Sequence, residues 1–307
     1  MSSYIHKPDF NLGPVSVDQI CKNLYLGGLA AAKDIETLKK LKITHILTID
    51  TCPLPRNILE LGHISKKFIQ LADLPNEDLL SHLDDTFSFI DSAIENNGVV
   101  LVHCYFGVSR SATIVIAYVM KKNYIGLQEA QEIVRAKRSI VHPNQGFISQ
   151  LKLYYDMGCC IDRTYMHYKI YRLGKAAALV RNVKVLPSDY LDLIEPDPGL
   201  ATVQPNPNVY KCKKCRRVVA TDSNLLVHKD KNQPCKRMYF IEPVRWMQVT
   251  QHVEGKLHCP QCDSKLGSFS WIKGCECPCG VKVAPAFYLT PSKVDFSNVV
   301  QNVEMTF

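Results

Sequence analysis

Gly98-Val-Val-Leu-Val-His103-Cys104-Tyr-Phe-Gly107-Val-Ser-Arg110-Ser111 reads as a strand, a tight loop and the start of a helix in one uninterrupted stretch. The apolar, β-branched run at 99–102 suits a buried strand, and 112–120 is apolar enough for a buried helix. A loop that enters a helix N-terminus points several backbone N–H groups at one place, and the helix dipole favours an anion there. Gly107 permits the tight turn. A cysteine in that field is favoured as thiolate, the nucleophilic form. Arg110, six residues after Cys104, brings a planar fork that matches two phosphate oxygens and stabilises charge in a transition state. Residues Cys104, Tyr105, Phe106, Gly107, Val108, Ser109 and Arg110 are thus the expected phosphate-binding loop.

Outward from this loop the chain alternates short apolar runs with helical periodicity. Strands are expected at 24–26, 45–49, 68–72 and 99–102, and helices at 34–41, 78–96, 112–120, 127–136 and 145–157. This order predicts an α/β fold, a mostly parallel central sheet flanked by helices. Ligands then sit at the carboxyl ends of the strands, where Cys104 falls.

The loop resembles the Cys-x5-Arg signature of the cysteine-dependent protein phosphatases. His103-Cys104 with Ser109-Arg110-Ser111 is similar to the dual-specificity branch. So are Leu24-Tyr-Leu-Gly27, Ile43-Thr-His-Ile-Leu47 and Pro143-Asn-Gln-Gly-Phe147. The match covers about residues 15–158. A rhodanese-like loop also cradles an anion around a cysteine, but it fits the Leu-Tyr-Leu-Gly and Asn-Gln-Gly-Phe flanks poorly. The resemblance implies attack by Cys104 through a phosphocysteine, with Asp73 as general acid, 31 residues earlier on its own loop. Asp78 competes for that role, but it opens a helical run and is more simply a cap. Ser111 is expected to hydrogen-bond the thiolate, and His103 to orient the loop. Phe106 stands where many members carry a small residue. The loop interior has no basic side chain, which favours phosphoprotein over phosphoinositide substrates. No cofactor is expected for catalysis.

The second half is chemically different. The chain has 307 residues and a net charge of +8, yet residues 1–160 hold equal numbers of basic and acidic residues, so the excess lies entirely after them. Eight of the 13 cysteines fall between Cys212 and Cys279. Cys212-x2-Cys215 and Cys259-x2-Cys262 are knuckles whose two sulfurs reach one tetrahedral ion. Two structural zinc ions are expected, one on Cys212, Cys215, His228 and Cys235, the other on Cys259, Cys262, Cys277 and Cys279. Cys275 and His258 are reserves, and the spacing leaves a cross-braced pairing open. Cys21, Cys52, Cys159 and Cys160 have no partner at ligand spacing and read as buried fillers.

Three parts follow: a phosphatase domain at 1–160, a basic helix and Pro-rich linker at 161–207, and a β-rich zinc domain at 208–307. Residues 239–247 and 265–271, with Pro285-Ala-Phe287, resemble the zinc domain found in one branch of the same family. That resemblance implies a role in maturation of the large ribosomal subunit, separable from phosphatase chemistry. Lys211, Lys213, Lys214, Arg216, Arg217, Lys236 and Arg237 cluster around the first proposed site, as a surface for RNA or a pre-ribosomal particle would require. No apolar run approaches membrane-spanning length. Met1 to Asp9 shows no export signal, so the expected location is cytoplasmic and nuclear.

Overall fold

The strand that carries the cysteine lies at the centre of a five-stranded sheet. We describe the computed structural model over residues 13–200 and 206–298. Strands β1 (Val17–Cys21), β2 (Leu24–Gly27), β3 (His45–Asp50), β4 (Ser65–Gln70) and β5 (Val100–His103) are ordered β1-β2-β5-β3-β4. Only the β1–β2 pair is antiparallel. All four residues of β5 are buried, as an inner strand of a parallel sheet requires. Ile46 and Leu101 face each other across the ladder and join Leu38, Ile58 and Ile64 in one cluster. Leu47 and Val102, the next pair in register, turn to the opposite face.

Around the sheet lie α1 (Leu29–Lys33), α2 (Ile35–Lys40), α3 (Arg56–Leu59), α4 (Leu83–Glu95), α5 (Arg110–Asn123), α6 (Leu127–Lys137) and α7 (Gln145–Asp156). Helix α5 is buried from Arg110 to Met120 and packs with α4, α6 and α7. The carboxyl ends of β3, β4 and β5 therefore open beside the N-terminus of α5.

Two boundaries differ from expectation. The fourth strand is Ser65–Gln70 rather than 68–72, which frees Leu71–Asp73 to be a loop. The helix expected over 78–96 starts at Leu83, after a single 3-10 turn at Leu80–His82. Gln150 Oε1 accepts from both Leu79 N–H and Leu80 N–H, which draws this segment away from α4. Asp78 is not the N-cap of either helix, those positions being Leu79 and His82; its carboxylate accepts instead from the backbone and the hydroxyl of Ser81 just ahead of α4.

The chain divides into two units, Met1–Asp162 and Arg163–Phe307. In the second, four antiparallel strands run in the order Tyr239–Phe240, Ala286–Leu289, Lys265–Ser270, Glu254–His258. A three-stranded sheet joins Val294–Asn298, Asn208–Cys212 and Val218–Thr221. Helix α8 (Met166–Val183) buries Leu173, Ala176 and Val180 in the core that also holds Trp246, Trp271 and Phe287. Lys169 fixes the helix through Glu242 at 2.7 Å and the Ser223 carbonyl at 3.0 Å.

The described part of the stretch expected to be an extended linker is packed between Leu186 and Asp197. Leu186 lies buried, and Tyr190, Leu193 and Ile194 rest on the same core. Glu195 bridges to Val244, and Asp197 is ion-paired with Arg217 at 2.7 Å. Leu186, Tyr190, Leu193 and Ile194 bind residues 186–197 down as a strap.

Candidate active site and metal clusters

Cys104 follows β5 directly and is buried. Its Sγ accepts from Ser111 Oγ–H at 3.1 Å and from the Gly107 N–H at 3.3 Å. Gly107 has φ +72°, and a side chain there would run into the Gly27 backbone. Arg138 lies behind the loop with its side chain only 1% exposed. It donates to the carbonyls of Gly107 at 2.9 Å and Phe106 at 3.1 Å, and to Asp18 at 2.6 Å. Its guanidinium thus holds two loop carbonyls on the side of the loop that it occupies.

Arg110 opens α5 and is 6% exposed. Its Nη1 donates to Asp50 Oδ1 at 2.9 Å and to the Leu71 carbonyl at 3.1 Å. Nε is buried with no hydrogen-bond partner among the described residues. Asp73 Oδ2 is 3.9 Å away, beyond hydrogen-bonding range. One edge of the guanidinium is satisfied, and a buried donor on the other is left for an anion.

Asp73 reaches the same place from the loop after β4. Its Oδ1 accepts from Ser109 Oγ–H at 2.7 Å and Asn144 Nδ2–H at 2.8 Å. His103 is fully buried, opposite Thr48 in the ladder. Its Nδ1 lies 3.2 Å from the Cys104 carbonyl, which can only accept, so Nδ1 carries the hydrogen. Nε2 then accepts from Thr48 Oγ1–H at 2.8 Å. Burial pushes the His103 pKa down to about 4, so the ring is neutral near pH 7. Phe106 is exposed beside the loop, its ring edge-on to Tyr105 at 4.6 Å.

The structure brings Cys104, Arg110, Asp73, Ser111 and His103 to one place. Three further residues were not expected. Asp50 had one signal, an acid ending an apolar strand. Arg138 had none, since nothing in sequence marks a buried arginine. Asn144 lay inside a motif already noted.

In the second unit the structure corrects the expected pairing of ligands. The sulfurs of Cys212, Cys215, Cys259 and Cys262 form one group, and His228, Cys235, Cys277 and Cys279 the other. The arrangement is cross-braced, each group joining the first and third or the second and fourth ligand pairs. The reason is backbone geometry. The two knuckles are matching turns, in which the Cys212 carbonyl accepts from Arg216 N–H and the Cys259 carbonyl from Asp263 N–H, with positive φ at both donors. They meet face to face, with Cys212–Cys262 at 3.7 Å and Cys215–Cys259 at 3.5 Å. In the other group Cys235–Cys277 is 3.7 Å and His228 Nε2–Cys279 3.2 Å. Tetrahedral zinc with Zn–S near 2.3 Å sets sulfurs about 3.8 Å apart, so both donor sets fit such an ion.

The reserves stand outside these groups. Cys275 Sγ contacts Met238 Sδ, and His258 Nδ1 lies against the Asp263 carbonyl. Of the expected fillers only Cys159 is buried; Cys21, Cys52 and Cys160 are exposed. The basic cluster is partly neutralised, since Arg216 pairs with Asp295, Arg217 with Asp197 and Arg237 with Asp230. Lys213, Lys214 and Lys236 form no ion pair among the described residues.

Residues 24–157 match the family model described as dual specificity phosphatase, catalytic domain. Dual specificity protein phosphatase MPK-4 of Drosophila melanogaster is 42% identical across 99% of this chain and 94% of its own length. Dual specificity protein phosphatase 12 of Mus musculus is 36% identical, over 90% of this chain and 87% of its own. The tyrosine-protein phosphatase yvh1 of Schizosaccharomyces pombe is 32% identical, over 95% and 87%. Among solved structures, the Yvh1 phosphatase domain from Chaetomium thermophilum is 35% identical, with a TM-score of 0.44, over 48% of this chain and 99% of its own.

Buried, neutral His103 sets a pH dependence of stability. Its folded pKa lies below the unfolded value of 6.5, so its penalty is absent above pH 6.5 and accumulates as pH falls toward about 4. Over that window it removes up to about 3 kcal/mol. Chemical denaturation as a function of pH is expected to show His103→Gln losing less stability than wild type between pH 6.5 and 4. Parallel curves would contradict a neutral buried ring.

Proposed function

The chain belongs to the dual specificity protein phosphatase family, and on that premise we propose that it hydrolyses phosphoprotein monoesters through a phosphocysteine on Cys104. The observation that carries this reading is the buried Arg110 Nε, a donor without a partner among the described residues at the start of α5, together with the loop amides, one of which meets Cys104 Sγ. An incoming phosphoryl group takes those donors. The Cys104 thiolate attacks phosphorus; the ester P–O bond breaks, and its electron pair goes to the leaving oxygen as Asp73 delivers a proton. Asp73, now a carboxylate, takes a proton from water as that water attacks phosphorus. The S–P electron pair returns to Cys104, and phosphate is released. Ser111 donates to the departing thiolate, while Arg110 and the amides hold charge on the equatorial oxygens. His103 takes no proton; it fixes the Cys104 carbonyl.

Both four-ligand groups are assigned to structural zinc. Cys212, Cys215, Cys259 and Cys262 would hold one ion and His228, Cys235, Cys277 and Cys279 the other, each set complete without an open position. Bound there, zinc supplies crosslinks to a unit built of short strands. A second role is proposed for this unit, contact with RNA or a pre-ribosomal particle during assembly of the large ribosomal subunit, in cytoplasm and nucleus. Its support is the resemblance of 239–247 and 265–271 to the family's zinc domain and the lysines at 211, 213 and 214. In this reading phosphatase turnover is not needed for the assembly role.

Three outcomes are expected. Cys104→Ser lowers hydrolysis of an aryl phosphate to background while vanadate still binds; wild-type turnover in that variant would sink the mechanism. Metal analysis gives two zinc ions per chain, and chelation shifts the emission of Trp246 and Trp271, both in the core beside the ligands, to the red. An unmoved spectrum after complete metal loss would rule out a structural role. Finally, RNA binding weakens with added salt, persists in Cys104→Ser and is lost without residues 208–307. Equal binding by the truncated chain would refute the assembly reading.

A further inference from the structure

The motif Pro143-Asn-Gln-Gly-Phe147 opens α7, yet the chemistry above makes no use of it. Asn144 does two things at once. Its Oδ1 caps the helix by accepting Phe147 N–H at 3.0 Å, and its Nδ2 donates to Asp73 Oδ1 at 2.8 Å. Ser109 binds the same carboxylate oxygen at 2.7 Å and accepts the Asn144 N–H at 3.1 Å, so the phosphate loop shares this junction. Gly146 stands against Pro75, where an added Cβ would overlap the Pro75 carbonyl. Further along the helix Gln150, 3% exposed, accepts from Leu79 and Leu80 N–H and donates to the Glu77 carbonyl at 2.8 Å. The segment from Asp73 to Leu80 is therefore fastened to α7 at both ends and in close contact between them.

We propose that the first two turns of α7 are the seat of the acid loop, with Asn144, Gly146 and Gln150 as positioning residues for Asp73. This rests on Asp73 being the general acid. Both fixed donors occupy Oδ1, so the transferable proton rides on Oδ2, the oxygen nearer Arg110 Nε. When the ester P–O bond breaks, its electron pair goes to the leaving oxygen and the Oδ2 proton follows it. The seat holds Oδ2 toward that oxygen before substrate arrives, so no loop closure is needed.

The test is kcat/KM of the full chain for phenyl phosphate and p-nitrophenyl phosphate, since only the poorer leaving group depends strongly on a proton donor. Asn144→Ser keeps a capping oxygen and deletes the donor to Asp73. It is expected to lower the phenyl phosphate value by about tenfold or more and the p-nitrophenyl phosphate value by less than about threefold. The rate of Cys104 alkylation by iodoacetate stays at wild type. Gln150→Met, neutral and of similar length, removes the contacts to Glu77, Leu79 and Leu80 without burying a charge and is expected to give the same asymmetry in smaller measure, which answers the question if Asn144→Ser does not fold. On an Asp73→Asn background Asn144→Ser adds nothing. Equal losses on both substrates, no loss on either, or a further loss in the double variant would overturn the seat. An unchanged ratio between substrates in Asp73→Asn alone would overturn the acid assignment instead, which separates the two failures.

Discussion

A buried guanidinium is the constraint on which the rest of the first unit depends. Arg110 sits at the N-terminus of α5, where the helix dipole already favours negative charge, and among the described residues only Asp50 has a carboxylate oxygen within 3 Å to offset it. Removing one partner of such a pair costs about 3–5 kcal/mol. Asp50 and the Leu71 carbonyl take one nitrogen and thereby fix which edge of the fork remains. A buried N–H without a partner costs about 1–3 kcal/mol, a cost that an arriving phosphoryl group relieves. A buried donor of this kind favours the binding of an anion.

The other contacts of the site follow from keeping that donor aimed. Arg138 holds the Phe106 and Gly107 carbonyls, Gly107 provides the positive φ that the loop needs, and Ser109 ties the loop to Asp73 and α7. The sheet contributes by order alone: β5 between β2 and β3 puts His103 against Thr48 and sets Cys104 beside the end of β3. In the second unit two groups of four Cys and His side chains, each able to hold a metal ion, bring together segments far apart in the chain.

Residues that act through one stretch of chain were legible in the sequence. Cys104, Gly107, Arg110 and Ser111 share a loop whose spacing carries its own geometry, and Asp73 could be placed by its position after a strand. Asp50 and Arg138 were not legible, since each meets the loop from elsewhere in the chain and only strand order brings it there. The pairing of metal ligands failed for a related reason. Local spacing identifies knuckles, but which halves meet is decided by how the short strands stack. The prolines after Leu186 point to an extended linker, whereas the burial of Leu186 and the packing of Tyr190, Leu193 and Ile194 against the core fasten residues 186–197.

The central claim, that Cys104 carries the phosphoryl group covalently, is tested most directly by trapping. Wild-type protein turning over an aryl phosphate is quenched in acid within the first turnovers, digested and examined by mass spectrometry. The account predicts one added phosphoryl group on the peptide that contains Cys104, absent when the substrate is allowed to run out before the quench. A phosphoryl group on any other residue, or none on Cys104 while product accumulates, would contradict it.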